Sequence, residues 1–316
     1  MRPKIKNRIG EERLNNQGCL MKIVEYNNSN DIVVEFQDEH KRKIHTRYSH
    51  FLSRNVSNPY IYEQRLNQEN INNQGCLMKI IEYRDCENIL VEFQDSYKAK
   101  VNASYKNFVY GCIKNPYFPN VFGVGMIGMK CPTYKDGKQI KEYRAWKNIL
   151  ERCYDKKLKE KYETYENVIC CDEWLNYENF YKWLHSQENF DKWLNSDKWA
   201  IDKDILVKGN KVYSPDTCCL VPNGINTLFT KSNSTRGNLP IGVYISGKKF
   251  ASACGNPITN KREYLGTHQT PMDAFLAYKH RKEEVIRHVA EIEYSKNNIT
   301  KECYEAMMGY EVEITD

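Results

Sequence analysis

Three neighbouring side chains, Asp202, Lys203 and Asp204, set two carboxylates around an amine, directly after the apolar pair Ala200-Ile201. A carboxylate accepts protons at neutral pH. A lysine of ordinary pKa, about 10.4, is already protonated and cannot. The bland reading of the same residues is that Asp202 and Asp204 merely flank a strand end and bind nothing. Cys153, Cys170, Cys171, Cys218 and Cys219 are a second set of donors, of the type that holds tetrahedral zinc. They contain no C-x₂-C knuckle, and adjacent cysteines point apart on a strand, so buried thiols are the expectation and zinc is disfavoured.

The elements around the carboxylates read from residue 200 to Asn226. A strand leads to a turn at Lys208-Gly209-Asn210 and a second strand follows. Ser214-Pro215-Asp216 then opens a short helix. Upstream, Tyr143, Trp146, Ile149, Leu150 and Cys153 recur at 3–4 residue spacing, an amphipathic helix. Glu178-Asn179-Phe180-Tyr181-Lys182-Trp183-Leu184 is echoed by Glu188-Asn189-Phe190-Asp191-Lys192-Trp193-Leu194, an aromatic stripe of core type whose second copy extends a helix. Gly123, Gly125 and Gly128 lack the strand–turn–helix setting of a dinucleotide site and read as a linker or strand edge.

The stretch 200–226 resembles the ββα-metal core of HNH endonucleases of phage and mobile elements. That resemblance implies metal positions at Asp202 and Asn226, whose oxygen donors suit Mg²⁺, a cation that stabilises charge on the scissile phosphate. It puts the general base, a His in the family, at Lys203. It also puts Thr217 where an Asn steadies the ββ loop. Three outcomes stay open: Lys203 is perturbed, Asp204 takes over as base, or the scaffold binds DNA without cutting.

Beyond the polar stretch 230–240, strand signals cover Ile241–Ile245, Lys248–Cys254 and Arg262–Leu265. A helix follows from Pro271 with Thr270 as N-cap. Ala274, Ala277 and Tyr278 give it a small-residue face able to lie on a sheet. Gly242-Val243, Lys249-Phe250-Ala251, Tyr264-Leu265-Gly266-Thr267 and Ala277-Tyr278 resemble the APETALA/ethylene-response-factor domain, over about 50 residues. The resemblance implies a sheet that enters the major groove, with base-contacting positions at Tyr244, Phe250 and Tyr264. The first of these is an Arg in the family and a Tyr here. Arg236, Lys248, Lys249, Lys261 and Arg262 are cations able to grip phosphates.

The front of the chain is a duplication. Asn15-Asn16-Gln17-Gly18-Cys19-Leu20-Met21-Lys22-Ile23 returns as Asn72 to Ile80, an offset of 57 residues that holds through Phe36-Gln37-Asp38 and Asn58-Pro59-Tyr60. Each copy reads as strands Leu20–Tyr26, Asp31–Gln37 and Lys43–Thr46, with Tyr48 and Phe51 on a helical turn, and pictures a small half-open β-barrel. As function, the repeats are a generic adaptor or spacing module, or a module that grips nucleic acid through Lys41, Arg42, Lys43 and Arg47 and through Lys98, Lys100 and Lys106.

Composition bounds the rest. The 316 residues are 41% hydrophobic and 28% charged, enough apolar content for cores and too much for global disorder. Mean hydropathy is −0.74, and no apolar run is long enough to cross a membrane. The basic start has no apolar stretch behind it, so the expectation is a cytoplasmic protein of a bacterial host cell with no membrane partner. Richness in Asn, Lys, Ile and Tyr fits an AT-rich genome, such as a low-GC bacterium or its phage. Net charge is +6, but residues 236–282 hold 8 basic and 2 acidic groups and residues 283–316 hold 3 and 9. The basic block fits a polyanion footprint, and the acidic end reads as a solvated helix face.

The expected organisation is α+β and multidomain: β repeats at 9–61 and 66–118, an HNH-like ββα-containing domain at 130–230, an APETALA-like domain at 236–292, and a tail at 293–316. The expected function is binding of double-stranded DNA by a phage or mobile-element protein, with Mg²⁺-dependent cleavage of homing type. The alternatives are a non-catalytic DNA-binding regulator and a protein-binding factor acting through the repeats.

Overall fold

A computed structural model describes residues 8–229, 238–314 and 316. The chain is mixed α/β, with six small sheets and ten α-helices among the described residues. It divides into two compact units, Met1–Phe118 and Pro119–Asp316. No helix among the described residues is long and apolar enough to cross a membrane.

The first unit is two copies of one fold. Strands β1 (Glu12–Leu14), β2 (Leu20–Asn28), β3 (Asp31–Phe36) and β4 (Lys43–Thr46) form an antiparallel meander, followed by the helix Tyr48–Leu52. β5 (Glu69–Ile71), β6 (Leu77–Tyr83), β7 (Ile89–Phe93) and β8 (Lys100–Ala103) repeat it, followed by Tyr105–Val109. The alternating residues Met21, Ile23, Ile32, Val34 and Phe36 point inward and are closed over by Phe51; Met78, Ile80, Ile89, Val91, Phe93 and Phe108 do the same. Both copies carry a register shift at the same place, Ile23/Glu25 and Ile80/Glu82. The first strand of each copy and the helix Pro59–Arg65 carry too little alternation to be read from sequence.

The repeated polar motifs are joints of this fold. Buried Asn15 accepts at Oδ1 from the backbone N–H of Gln17 (3.0 Å) and Cys19 (2.7 Å) and donates to the Val56 carbonyl at 2.8 Å. Gln17 Oε1 accepts from Asn58 N at 2.7 Å, and the Asn58 amide donates to Asp38 at 2.6 Å. Asn72, Gln74, Asn115 and Asp95 make the same bonds in the second copy. Motifs 20 and 41 residues apart are thus tied together around two buried asparagines, Asn15 and Asn58, groups that would be costly to leave unpaired.

The second unit opens with the hairpin β9 (Tyr134–Lys135) and β10 (Lys138–Gln139) and then the helix Lys141–Tyr154. That helix buries Tyr143, Trp146, Ile149, Leu150 and Cys153, as its periodicity requires. Gly125 lies where any side chain would overlap Trp146 and Leu150, and Gly128 sits at φ +80° against Glu178, whose Oε1 accepts from the backbone N–H of Met129 and Lys130. The echoed aromatic motif does not extend a helix. Helices Tyr177–Ser186 and Phe190–Leu194 are separate, because Gln187 takes an extended conformation and ends the first.

Next come β11 (Ile169–Cys170), β12 (Trp199–Asp202), β13 (Val212–Tyr213) and β14 (Cys219–Pro222). β12 pairs antiparallel with β14, whereas β13 pairs in parallel with β11. β15 (Val243–Ser246), β16 (Lys249–Asn256) and β17 (Lys261–His268) form the last sheet, an antiparallel meander. The helix Pro271–Ser295 packs on it, with Thr270 accepting from Asp273 N as the N-cap.

Two cores meet at β14. Cys219 and Val221 face a core made by the last sheet and the long helix; Cys218 and Leu220 face the aromatic core of the central helices. Residues 293–316, read above as a tail, hold the helix Lys301–Met308 and bury Cys303, Met307 and Val312 in the first of these cores.

Candidate functional site: a basic cleft over a ββα hairpin

Asp202 ends β12 opposite Cys219 on β14, and the short helix Asn223–Asn226 follows β14 directly. The hairpin partner of the first strand is therefore Cys219–Pro222, later in the chain than the sequence reading placed it. Ser214-Pro215-Asp216 forms a turn rather than the helix start, because Cys218 N and Thr217 N both bond back to the Ser214 carbonyl. The helix begins only at Asn223.

The loop between the strands is steadied mainly by Asn210. Its amide donates to the Lys203 carbonyl at 2.8 Å and the Val212 carbonyl at 2.6 Å, and its Oδ1 accepts from Val212 N at 3.1 Å. Gly209 at φ +76° makes the turn that brings Asn210 back. Thr217, the position the resemblance implied for this task, adds one bond to the Val212 carbonyl at 2.8 Å. An Asn after a Lys-Gly turn was the available signal for this role.

Asp202 is buried, and its Oδ1 accepts from the backbone N–H of Asp204 (2.7 Å) and Ile205 (2.9 Å). Burial raises its pKa above the usual carboxyl value, and those two N–H groups oppose the rise. Lys203 is also buried. Its Nζ donates to Asp204 Oδ1 at 2.6 Å and to the Asn210 carbonyl at 3.0 Å, and lies over the Tyr213 ring. Asp204 is half exposed.

Asp202, Lys203, Asp204 and Asn226 line one cleft of about 540 Å³. The fold thus brings together all four residues singled out for metal and proton chemistry. The far wall holds Arg152, which donates to the Tyr213 hydroxyl at 3.1 Å; burial pushes that hydroxyl up to about 12, so it stays neutral. The C-terminal segment adds Tyr310 to the lining, and Lys208 of the lining donates to Oδ2 of the buried Asp316 at 2.9 Å.

Among the described residues no three His, Cys, Asp or Glu side chains gather as a metal-binding group. The donors present are carboxylate and amide oxygens. That chemistry fits Mg²⁺, which is held by one or two carboxylates and completes its shell with water and phosphate. The cysteines are all free thiols. Burial pushes Cys153 and Cys218 up to about 12 and Cys170 higher still, so these sulfurs are neutral core residues.

In the last sheet, cross-strand register sorts the expected DNA-contact residues. Tyr244 lies opposite Ala251, Arg262 opposite Gly255 and Tyr264 opposite Ala253; with Lys249 these occupy the face turned away from the helix. Tyr244 and Tyr264 are exposed, and the Arg262 guanidinium lies 5.5 Å over the Tyr244 ring. Phe250 is on the other face, packed against the helix-side core, so it does not join the tyrosines. Lys261 shares that helix-side face at the strand end, beside Glu263, which pairs with Arg281 on the helix. Lys248 lies in the turn before β16. Arg236 lies outside the described residues.

No protein-family model, curated protein or solved structure matches this chain.

Proposed function

We propose that the protein binds double-stranded DNA, as a phage or mobile-element protein with an HNH-like core and an APETALA-like reader, and that the ββα cleft is a metal-dependent endonuclease site. One observation carries this reading. Asp202 and Asn226, from opposite ends of the motif, reach the same cation-rimmed cleft as Asp204. Bound Mg²⁺ would supply charge stabilisation at the scissile phosphate. The second oxygen of Asp202 and the Asn226 amide oxygen are the groups to hold it. Asp204, half exposed, is the group able to take a proton from water. Lys203, an ammonium tied to Asp204, contributes positive charge.

A second reading, a non-catalytic DNA-binding regulator, is favoured by that same tie, which occupies the general-base position with an ammonium. Incubation of supercoiled DNA with the protein in Mg²⁺, Mn²⁺ or EDTA separates the two. Metal-dependent nicking that is lost in Asn226→Ala and Asp204→Asn supports the nuclease. A salt-sensitive gel shift without nicking supports the regulator. Neither nicking nor a shift overturns both.

A further inference from the structure

The two faces of the helix Lys141–Tyr154 divide sharply. One buries its aromatic and aliphatic residues; the other exposes Arg144 and Lys147, while Arg152, near the helix end, is half-buried against Tyr213. Arg144 and Lys147 line a second cleft, of about 510 Å³, together with Arg152, Ile201 and Asn226. The last three also line the cleft over Asp204, whose lining includes Lys211. The concavities therefore meet at Arg152, Ile201 and Asn226 and pass the carboxylates as one trough.

The cations of this trough fall into two groups. Lys141, Lys203 and Lys208 are engaged by Asp197, Asp204 and Asp316, and brace the walls. The side chains of Arg144, Lys147 and Lys211 are exposed and take no hydrogen bond or ion pair among the described residues. An exposed ammonium or guanidinium in a concave cationic site is placed to take a phosphate, displacing a counterion from the nucleic acid as it does so.

We propose that Arg144, Lys147 and Lys211 form a phosphate track for duplex DNA across the ββα core, distinct from the last sheet, so that the duplex is held at two places. The inference rests on the DNA-binding reading above and adds where the backbone runs. The sheet's outer face supplies the aromatic contacts, and the trough supplies backbone grip beside Asp204 and Asn226. This location also explains the charge arithmetic: the chain's most basic block lies at the sheet, yet the central region carries its own unpaired cations at the carboxylates.

The test is binding of a fluorescent duplex by full-length protein over a series of KCl concentrations. The proteins are the parent, Arg144→Ala/Lys147→Ala/Lys211→Ala, Lys249→Ala/Arg262→Ala, and the combination. Removing three phosphate contacts is expected to lower the slope of log K against log [KCl] by roughly 2–3. The sheet pair should lower it by about 2, and the combination by the sum. All five positions are exposed, and an unchanged melting curve checks that each variant folds. A trough variant with the parent slope, beside a weakened sheet variant, overturns the track and leaves DNA binding standing. A parent that binds no duplex DNA, or prefers duplex RNA, overturns both.

Discussion

Lys203 Nζ lies 2.6 Å from the Oδ1 of its neighbour Asp204, and a third atom, the Asn210 carbonyl at 3.0 Å, fixes the ammonium from the far side of the loop. The lysine at the position that the HNH-like reading gives to the general base is thus part of the hairpin's own architecture. A His there would be a base, but it would give up the donor that closes the loop on Asn210.

That trade gives a first prediction. Lys203→His places an imidazole beside Asp204 and the Asn226 cleft. If the cleft holds metal and substrate, metal-dependent nicking rises, by as much as ~100-fold, the lower range for general-base catalysis. The same variant lowers thermal stability, since the Asn210 carbonyl loses a charged donor. Nicking rates alongside a melting curve read both effects.

Asp202 provides a second prediction. Its Oδ1 satisfies two backbone N–H groups, so Asp202→Ala leaves both without an acceptor and costs about 1–3 kcal/mol in urea unfolding. Asp202→Asn keeps the acceptor. Burial raises the folded-state pKa of Asp202, so the folded protein holds this proton to higher pH than the unfolded chain does. The Asp202 contribution is complete below the usual carboxyl value and is lost as pH rises through the raised one. Stability of Asp202→Asn relative to the parent should therefore increase over that interval. Unfolding midpoints measured across the acid range would show no such divergence if the carboxyl were unshifted. For the nuclease test, Asn is thus the substitution that separates chemistry from folding.

Gly242 gives a third. It sits at φ +77°, and any Cβ there would overlap the Tyr278 ring from the long helix. Gly247, at φ +63°, has open space around it. Gly242→Ala carries backbone strain and overpacking together, and should cost about 1–3 kcal/mol more than Gly247→Ala. Equal losses in the two variants would mean that the helix does not lie on the sheet as described.

The thiols give a fourth. Cys112 is exposed, whereas Cys153, Cys170, Cys218, Cys219 and Cys303 are buried. A disulfide reagent at neutral pH should modify Cys112 early and reach these thiols, like the equally buried Cys254, only on unfolding. Rapid native modification of Cys153 or Cys218 would contradict the closed aromatic core.

Much of this was legible in the chain. The 57-residue offset dictated two copies of one unit, and period-two alternation at the start of Leu20–Asn28 dictated that Met21 and Ile23 face inward, because register within a copy is a local matter. The spacing of Tyr143, Trp146, Ile149, Leu150 and Cys153 dictated one buried helix face. Tertiary structure decided the rest. The pairing of Asp202 with Cys219 rather than with the nearer β13 depends on a strand that faces two cores at once, a non-local demand invisible in a local pattern. The removal of Phe250 from the exposed tyrosine face follows from strand register, where a shift of one residue reverses every side chain. Asn210 as the loop clasp, and Asp202 as both turn acceptor and cleft wall, depend on where the backbone returns after Gly209. Residue type supplied the candidate groups, and only chain closure in three dimensions determined which of their atoms remain free to meet a ligand.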